Sequence, residues 1–239
     1  MYKRQPICYE SIKDKKMMMS SYEVMNYCGG VLIHEELKTP IRVWKIKSSF
    51  TSPQEYYDYT GENPNSLGLA VKLTLLNPVL PLVISKFVRK IVPEGKICYI
   101  PELTSLETGD FLANKLNSLG IPTVFMSGEY CITPVGKLLK SEFELSDLKE
   151  LAKSSSFKVL ISNSAGVEGI DLANLSSIVS LTGRSYKNIV QAIGRSAREE
   201  SVDCLFIFDT TNKIYNRQAK ARYETTINRL NVVSNTELQ

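Results

Sequence analysis

From residue 96 onward the chain alternates short apolar runs with longer amphipathic ones. KICYIP (96–101), PTVFMSG (122–128), FKVLISN (157–163), SIVSLTG (177–183) and DCLFIFD (203–209) are near-continuous apolar stretches bounded by turn residues, the pattern of strands buried on both faces. Between them, SLETGDFLANKLNSLG (105–120), LSDLKELAKSS (145–155) and SYKNIVQAIGRSARE (185–199) repeat their apolar positions every three or four residues, as helices that cover a core do. Gly120 stops the first of these, and Ser146 or Asp147 stands near the start of the second. Strand–helix alternation of this kind predicts an α/β fold, a parallel sheet with helices on both faces.

Upstream the pattern is less regular. PIRVWKIK (40–47) alternates apolar and charged residues, as a half-buried strand does. SPQEYYDYTGENPNS (52–66) is rich in turn residues and reads as a loop. LVISKFVRKI (82–91) reads as a helix that ends before Pro93 and Gly95. TPVGKLLK (133–140) reads as a helix start or a loop. Residues 6–39 mix polar and apolar positions without a period and turn at Gly29-Gly30. The chain contains no internal repeat and no low-complexity segment.

Composition narrows the classes. At 239 residues, 43% hydrophobic and 23% charged, the chain has room for one large or two small domains. A net charge of +4 permits nucleic acid as a partner without demanding it. The most apolar run, LTLLNPVLPLVI (73–84), is broken by Asn77, Pro78 and Pro81 and falls short of the roughly 18 residues a membrane helix needs. Neither a membrane partner nor a signal peptide is expected. The five cysteines (Cys8, Cys28, Cys98, Cys131, Cys204) form no C-x-x-C pair, and His34 is the single histidine. That spacing suits neither a zinc site nor a stapled secreted domain. Reduced thiols, no metal ligands and a cytoplasmic, nucleoid or nuclear location are expected, not secretion. His34 reads as an ordinary strand or loop residue, and Met17-Met18-Met19 as a packing segment.

In a parallel sheet, ligands bind outside the carboxyl ends of the strands, and two segments with chemical character follow such ends. SAGVEGIDLANL, after FKVLISN, holds Gly166, Gly169 and Asp171. Glycines let backbone approach a ligand closely, and a carboxylate can take a ribose hydroxyl; a tight crossover loop would need the same glycines. The second segment is QAIGRSAR (191–198). Arg195 and Arg198, three residues apart, share one helix face and repel each other unless an anion stands before them. A solvated basic face would not explain Gly194, which interrupts a helix at a cost of about 1 kcal/mol. Further basic residues, Arg217, Lys220, Arg222 and Arg229, could follow a phosphate backbone but read more readily as a solvated helix face.

SNSAGVEGIDL (162–172) followed by QAIGRSAR (191–198) resembles motifs V and VI of superfamily-2 helicases and translocases. Motif VI there is Q-x-x-G-R-x-x-R, and all four fixed positions are present. KICYIPELTSLETGDFLANKL (96–116) is similar, more weakly, to the motif IV strand and helix. The resemblance covers about residues 40–212 and implies the second of two RecA-like domains, the helicase C-terminal domain of P-loop NTPase type. In that family ATP is hydrolysed in the cleft between the domains. The first domain supplies the phosphate loop, magnesium and the water-activating glutamate. The second supplies motif VI arginines to the charge developing on the phosphoryl group. By position, Arg195 and Arg198 would be catalytic, with Arg198 the finger. Gln191 and Gly194 would shape the helix face at the nucleotide, Asp171 would contact the ribose and Gly169 would permit close approach. Asn163 and Ser164 would lie against the phosphates of DNA or RNA, although Asn163 departs from the threonine common there.

The implied cofactors are ATP and magnesium, both held mainly by a first domain whose motifs are not found. No G-x-x-x-x-G-K-[ST] occurs; TPVGKLLK has a Gly-Lys but lacks the first glycine and the following hydroxyl. The chain alone is therefore expected to be inactive. MYKRQ, the first five residues, is what a commonly used sequencing-transposon end, GTGTATAAGAGACAG, encodes when GTG is taken as a start. The expected organisation is residues 1–5 adapter-derived, 6–39 a linker or remnant of a first motor domain, 40–230 the RecA-like domain and 231–239 a tail. The N-terminal RecA-like domain of the same polypeptide is the expected protein partner. The alternative is a stand-alone, non-catalytic domain that binds nucleic acid or a partner.

Overall fold

The computed structural model describes residues 39–50, 67–103, 105–163, 172, 174–182 and 200–238. The expectations for residues 1–38, the 52–66 loop and the 185–199 helix lie outside these. In chain order the described elements are β1 (Ile41–Ser48), α1 (Leu67–Leu75), α2 (Val79–Ile91), β2 (Ile97–Leu103), α3 (Leu106–Ser118), β3 (Thr123–Met126), β4 (Tyr130–Thr133) and β5 (Gly136–Leu139). They continue with α4 (Leu145–Lys153), β6 (Val159–Asn163), β7 (Leu175–Ser180), β8 (Val202–Asp209), α5 (Lys213–Arg229) and β9 (Val232–Glu237). The strands form one nine-stranded sheet in the order β5-β4-β3-β6-β2-β7-β8-β1-β9. From β3 to β9 every neighbouring pair is parallel, while β4 and β5 extend the sheet as an antiparallel hairpin.

The apolar runs become the central strands because their side chains must be covered on both faces. Every residue of β7 and of β8 is buried, as near-continuous apolar strands require. β1 does not show the full alternation of a half-buried strand. Ile41 and Val43 are buried, whereas the residues after Val43 are intermediate or exposed. Both of its edges are nevertheless paired, to β8 and to β9. At its amino end Arg42 donates to both oxygens of Asp203, at 2.8 and 2.6 Å, and Trp44 Nε1 donates to the same carboxylate at 2.7 Å.

The helices start and stop where their local chemistry directs. Ser105 caps α3 by accepting from the Thr108 backbone N–H at 3.3 Å, an interaction worth about 1 kcal/mol. Gly120 takes a φ of 72° beyond its end, the left-handed stop that glycine adopts without a Cβ clash. The Asn117 side chain then clamps α3 to β3, donating to Thr123 O at 3.1 Å and accepting from Thr123 N at 2.8 Å. Helix α2 begins at Val79, three residues before the predicted start. Pro81 is tolerated because the first turn leaves its backbone nitrogens without intrahelical partners. Helices α1 and α2 meet at a bend of 61°, and among the described residues no single helix is long and apolar enough to cross a membrane.

Two expectations are corrected. TPVGKLLK is neither a helix start nor a loop: Thr133 ends β4, Gly136 begins β5 and Pro134-Val135 makes the turn. Gly136 takes a φ of 150° there, and Thr133 Oγ1 accepts from Val135 N at 3.3 Å and donates to Gly136 O at 3.0 Å. The stretch expected as a tail forms β9, which pairs with β1 from Ile41↔Val232 to Lys45↔Glu237. Its side chains are almost all exposed, so main-chain pairing, not burial, sets it in place.

Candidate nucleotide and nucleic-acid site

Chain order and sheet order together locate the ligand edge. The connection leaving β2 runs to β3 on one side of the sheet, and the connection leaving the adjacent β7 runs to β8 on the other. Connections that diverge from neighbouring parallel strands open a crevice at their carboxyl ends. SAGVEGIDL begins where the chain leaves β6 at Asn163, and QAIGRSAR lies within the β7–β8 connection. Both motifs thus belong to connections that leave the carboxyl edge beside this switch point.

Of the predicted site residues, Asn163 is described. It is the last residue of β6, partly buried, and stands opposite Leu103 of β2. Ser164, Gly169, Asp171, Gln191, Gly194, Arg195 and Arg198 lie outside the described residues, so their placement stays an expectation. Just below Asn163, the Tyr99 hydroxyl meets the Ser162 hydroxyl at 2.9 Å, both fully buried. That bond ties the first half of β2 to the carboxyl end of β6.

The β8 end of the same edge is anchored by a polar network that sequence reading missed. Asp209 closes β8 and is fully buried. Its Oδ2 accepts from Thr74 Oγ1 at 3.0 Å, and its Oδ1 accepts from the backbone N–H groups of Thr211 at 3.1 Å and Asn212 at 3.3 Å. Asn212 in turn donates to Ala70 O at 2.6 Å and to Thr74 Oγ1 at 2.9 Å, and accepts from Tyr215 N at 3.0 Å as the cap of α5. A carboxylate with three donors fixed on it is an anchor, not a base in waiting. The sequence signal was there: an Asp followed by Thr-Thr-Asn at a strand end is a turn-and-cap signature.

Helix α5 corrects a further expectation. Arg217, Lys220 and Arg229 are exposed, but Arg222 is 1% exposed. It shares a stripe with Tyr215, Ala219 and Thr226, at the spacing of one buried helix face. Its guanidinium carbon lies 5.5 Å from the Tyr215 ring centroid, and Nη2 approaches Ser180 O, the last carbonyl of β7, at 3.5 Å. Burial pulls the Arg222 pKa down from its ordinary value, and Tyr215 and Cys204 oppose that pull. The same burial raises the Tyr215 pKa, which the Arg222 charge offsets in part. Among the described residues no group of three or more His, Cys, Asp or Glu side chains is placed to hold a metal ion. The three described cysteines, Cys98, Cys131 and Cys204, are free and buried.

No family model matches the chain, and no curated protein matches it. Solved structures do. T4 UvsW matches with a TM-score of 0.57 at 13% sequence identity, over 90% of this chain and 46% of that one. The E. coli DEAD-box protein SrmB, solved bound to regulator of ribonuclease activity A, matches with a TM-score of 0.51 at 14% identity, over 83% of this chain and 90% of that one. The chain therefore spans less than half the length of the UvsW chain it matches. At such identities the likeness is one of fold. The chain has the mixed α/β, mostly parallel, RecA-like fold of helicase C-terminal domains.

Proposed function

We propose that the chain is the second motor domain of an ATP-dependent helicase or translocase acting on DNA or RNA. One observation carries this reading: an intact Q-x-x-G-R-x-x-R falls in the connection that leaves the switch point of a RecA-like sheet. In this reading Arg198 is the finger on the transferred phosphoryl group and Arg195 stands beside it. Gln191 and Gly194 shape the nucleotide face, Gly169 and Asp171 approach the ribose, and Asn163 and Ser164 contact nucleic-acid phosphates. ATP and magnesium are held mainly by an N-terminal RecA-like domain of the same polypeptide. Bound magnesium would neutralise phosphate charge there; this chain's own part is to place arginine donors against charge that develops in the transition state.

The test is Arg198→Ala in the two-domain polypeptide. Nucleic-acid-stimulated ATP turnover should fall by roughly 10³-fold or more, the range of arginine fingers, while ATP affinity changes far less. Equal losses in binding and turnover would make Arg198 a ground-state anchor. No loss in either would return the motif to a structural basic face and leave a non-catalytic binding domain.

A further inference from the structure

Helix α5 buries a polar stripe where a helix that covers a sheet ordinarily buries an apolar one. Tyr215, Gln218 and Arg222 stand at i, i+3 and i+7, on one face, and none is more than 5% exposed. The helix begins just past the carboxyl end of β8, and helical side chains lean toward the amino end of their helix. Arg222 therefore reaches back toward the carboxyl edge of the sheet. Its guanidinium carbon lies 5.5 Å from the Tyr215 ring centroid and its Nη2 is 3.5 Å from Ser180 O. Helix α5 packs on β8, whereas Ser180 belongs to β7, one strand further in. The Tyr215 hydroxyl beside the guanidinium and Gln218 Nε2 are both buried and complete no hydrogen bond among the described residues.

Such a stripe calls for acceptors. Burying a guanidinium, a phenol and an amide costs more than burying leucine or methionine in the same places unless acceptors meet them. The topology says which segment stands nearest. The steps from β7 to β8 and from β8 to β9 run the same way along the sheet, and right-handed crossovers that step the same way lie on one face. A right-handed β7–β8 connection thus passes over the face that α5 covers, on the β7 side, toward which Arg222 points. Ser180, the last residue of β7, is also where that connection starts.

We infer that Tyr215, Gln218 and Arg222 form the seat of the β7–β8 connection, donating to its main-chain carbonyls, and that Arg222 thereby positions Arg195 and Arg198. The second half of this inference rests on the function proposed above; the first half does not. Arg222 is a positioning residue, since a side chain so buried acts on turnover only through the connection it holds. The leverage is large. An arginine finger works when its planar fork meets the phosphoryl oxygens, and a misplacement of about 1 Å can cost on the order of a hundredfold in rate.

Amide hydrogen exchange on the whole chain tests the seat. Arg222→Met fills the same space without donors. Amides of residues 183–199 should then exchange at least about tenfold faster through local opening, while those of β7 and β8 change by less than about twofold and the urea midpoint holds. Tyr215→Phe, which removes only the hydroxyl, should speed the same amides by about two- to fivefold. No change in residues 183–199, or faster exchange throughout the chain with a lower midpoint, would make the stripe ordinary core and overturn the seat. Steady-state kinetics of the two-domain polypeptide test the positioning. Arg222→Met should lower kcat for ATP by about tenfold or more, with KM within about twofold, as the misplacement of a group that acts in the transition state does. Turnover that falls with Arg198→Ala but not with Arg222→Met overturns the positioning role. Turnover indifferent to both, with exchange raised as expected, keeps the seat and removes the helicase reading instead.

Discussion

Thr74 of α1 donates its hydroxyl to the carboxylate of Asp209 at the end of β8, over 3.0 Å and with both residues fully buried. The two lie 135 positions apart in the chain, so the bond fastens a helix that precedes β2 to the strand that follows the β7–β8 connection. Thr74→Val keeps the shape and removes the donor. Loss of stability by about 1–3 kcal/mol is expected, the cost of leaving a buried acceptor one partner short, read as a lower urea midpoint with unchanged slope.

Gly109 lies in α3 against the ring of Phe125 in β3. A Cβ there would stand 2.2 Å from Phe125 Cζ and 2.5 and 2.6 Å from the adjacent ring carbons. An alanine normally gains a helix about 1 kcal/mol over glycine, yet Gly109→Ala should destabilise by about 1–3 kcal/mol, because a stiff ring cannot yield. Phe125→Leu should be less costly in the Gly109→Ala background than alone, a coupling that a double-mutant cycle by chemical denaturation measures.

The buried thiols set a limit at high pH. Burial pushes Cys131 up to about 12 and Cys204 up to about 12, the latter with help from Asp203 and opposition from Arg222. Cys98 is raised in the same direction, by burial first. The unfolded chain releases these protons from about pH 9, while the folded chain keeps them until about 12. The folded state thus binds more protons, and stability falls as pH rises through that window. Urea midpoints at about pH 8 and about pH 10.5 should differ accordingly. Cys204→Ala should flatten the slope by up to about 1.4 kcal/mol per pH unit.

If Arg198 is a finger, its geometry matters as well as its charge. Arg198→Lys in the two-domain polypeptide should recover little of the turnover lost in Arg198→Ala, since an ammonium does not reproduce a planar fork of donors. Full rescue by lysine, measured as steady-state ATP turnover at saturating nucleic acid, would reduce the role to a point charge.

Much of the sheet was legible because burial on two faces writes itself into sequence. KICYIP, PTVFMSG, FKVLISN, SIVSLTG and DCLFIFD all contain or overlap strands that need apolar residues throughout. The β4–β5 hairpin was not legible. A two-residue hairpin usually announces itself by Asn-Gly or a leading glycine, and here the turn is Pro134-Val135 with the glycine one place later. Strand β9 carries no apolar period because its side chains face solvent. Arg222 was misread because a charge in a helix is ordinarily a surface charge, and its place on the stripe of Tyr215, Ala219 and Thr226 is a weaker signal than its type. For the site, residue types in fixed order named a motif, and the described structure reaches its flanks: Asn163, Ser180 and the anchored end of β8.

The position of β1 has a consequence for how the chain is made. Its two neighbours, Val202–Asp209 and Val232–Glu237, are synthesised long after it. Until the ribosome has released residues beyond 202, β1 has no partner on either edge, and until about residue 237 it has one. Closing so long a loop is slow, and a nascent strand with bare edges is open to pairing with other chains. Translation that stalls before β9 would release a species prone to aggregate, for want of six residues that contribute almost no buried side chain.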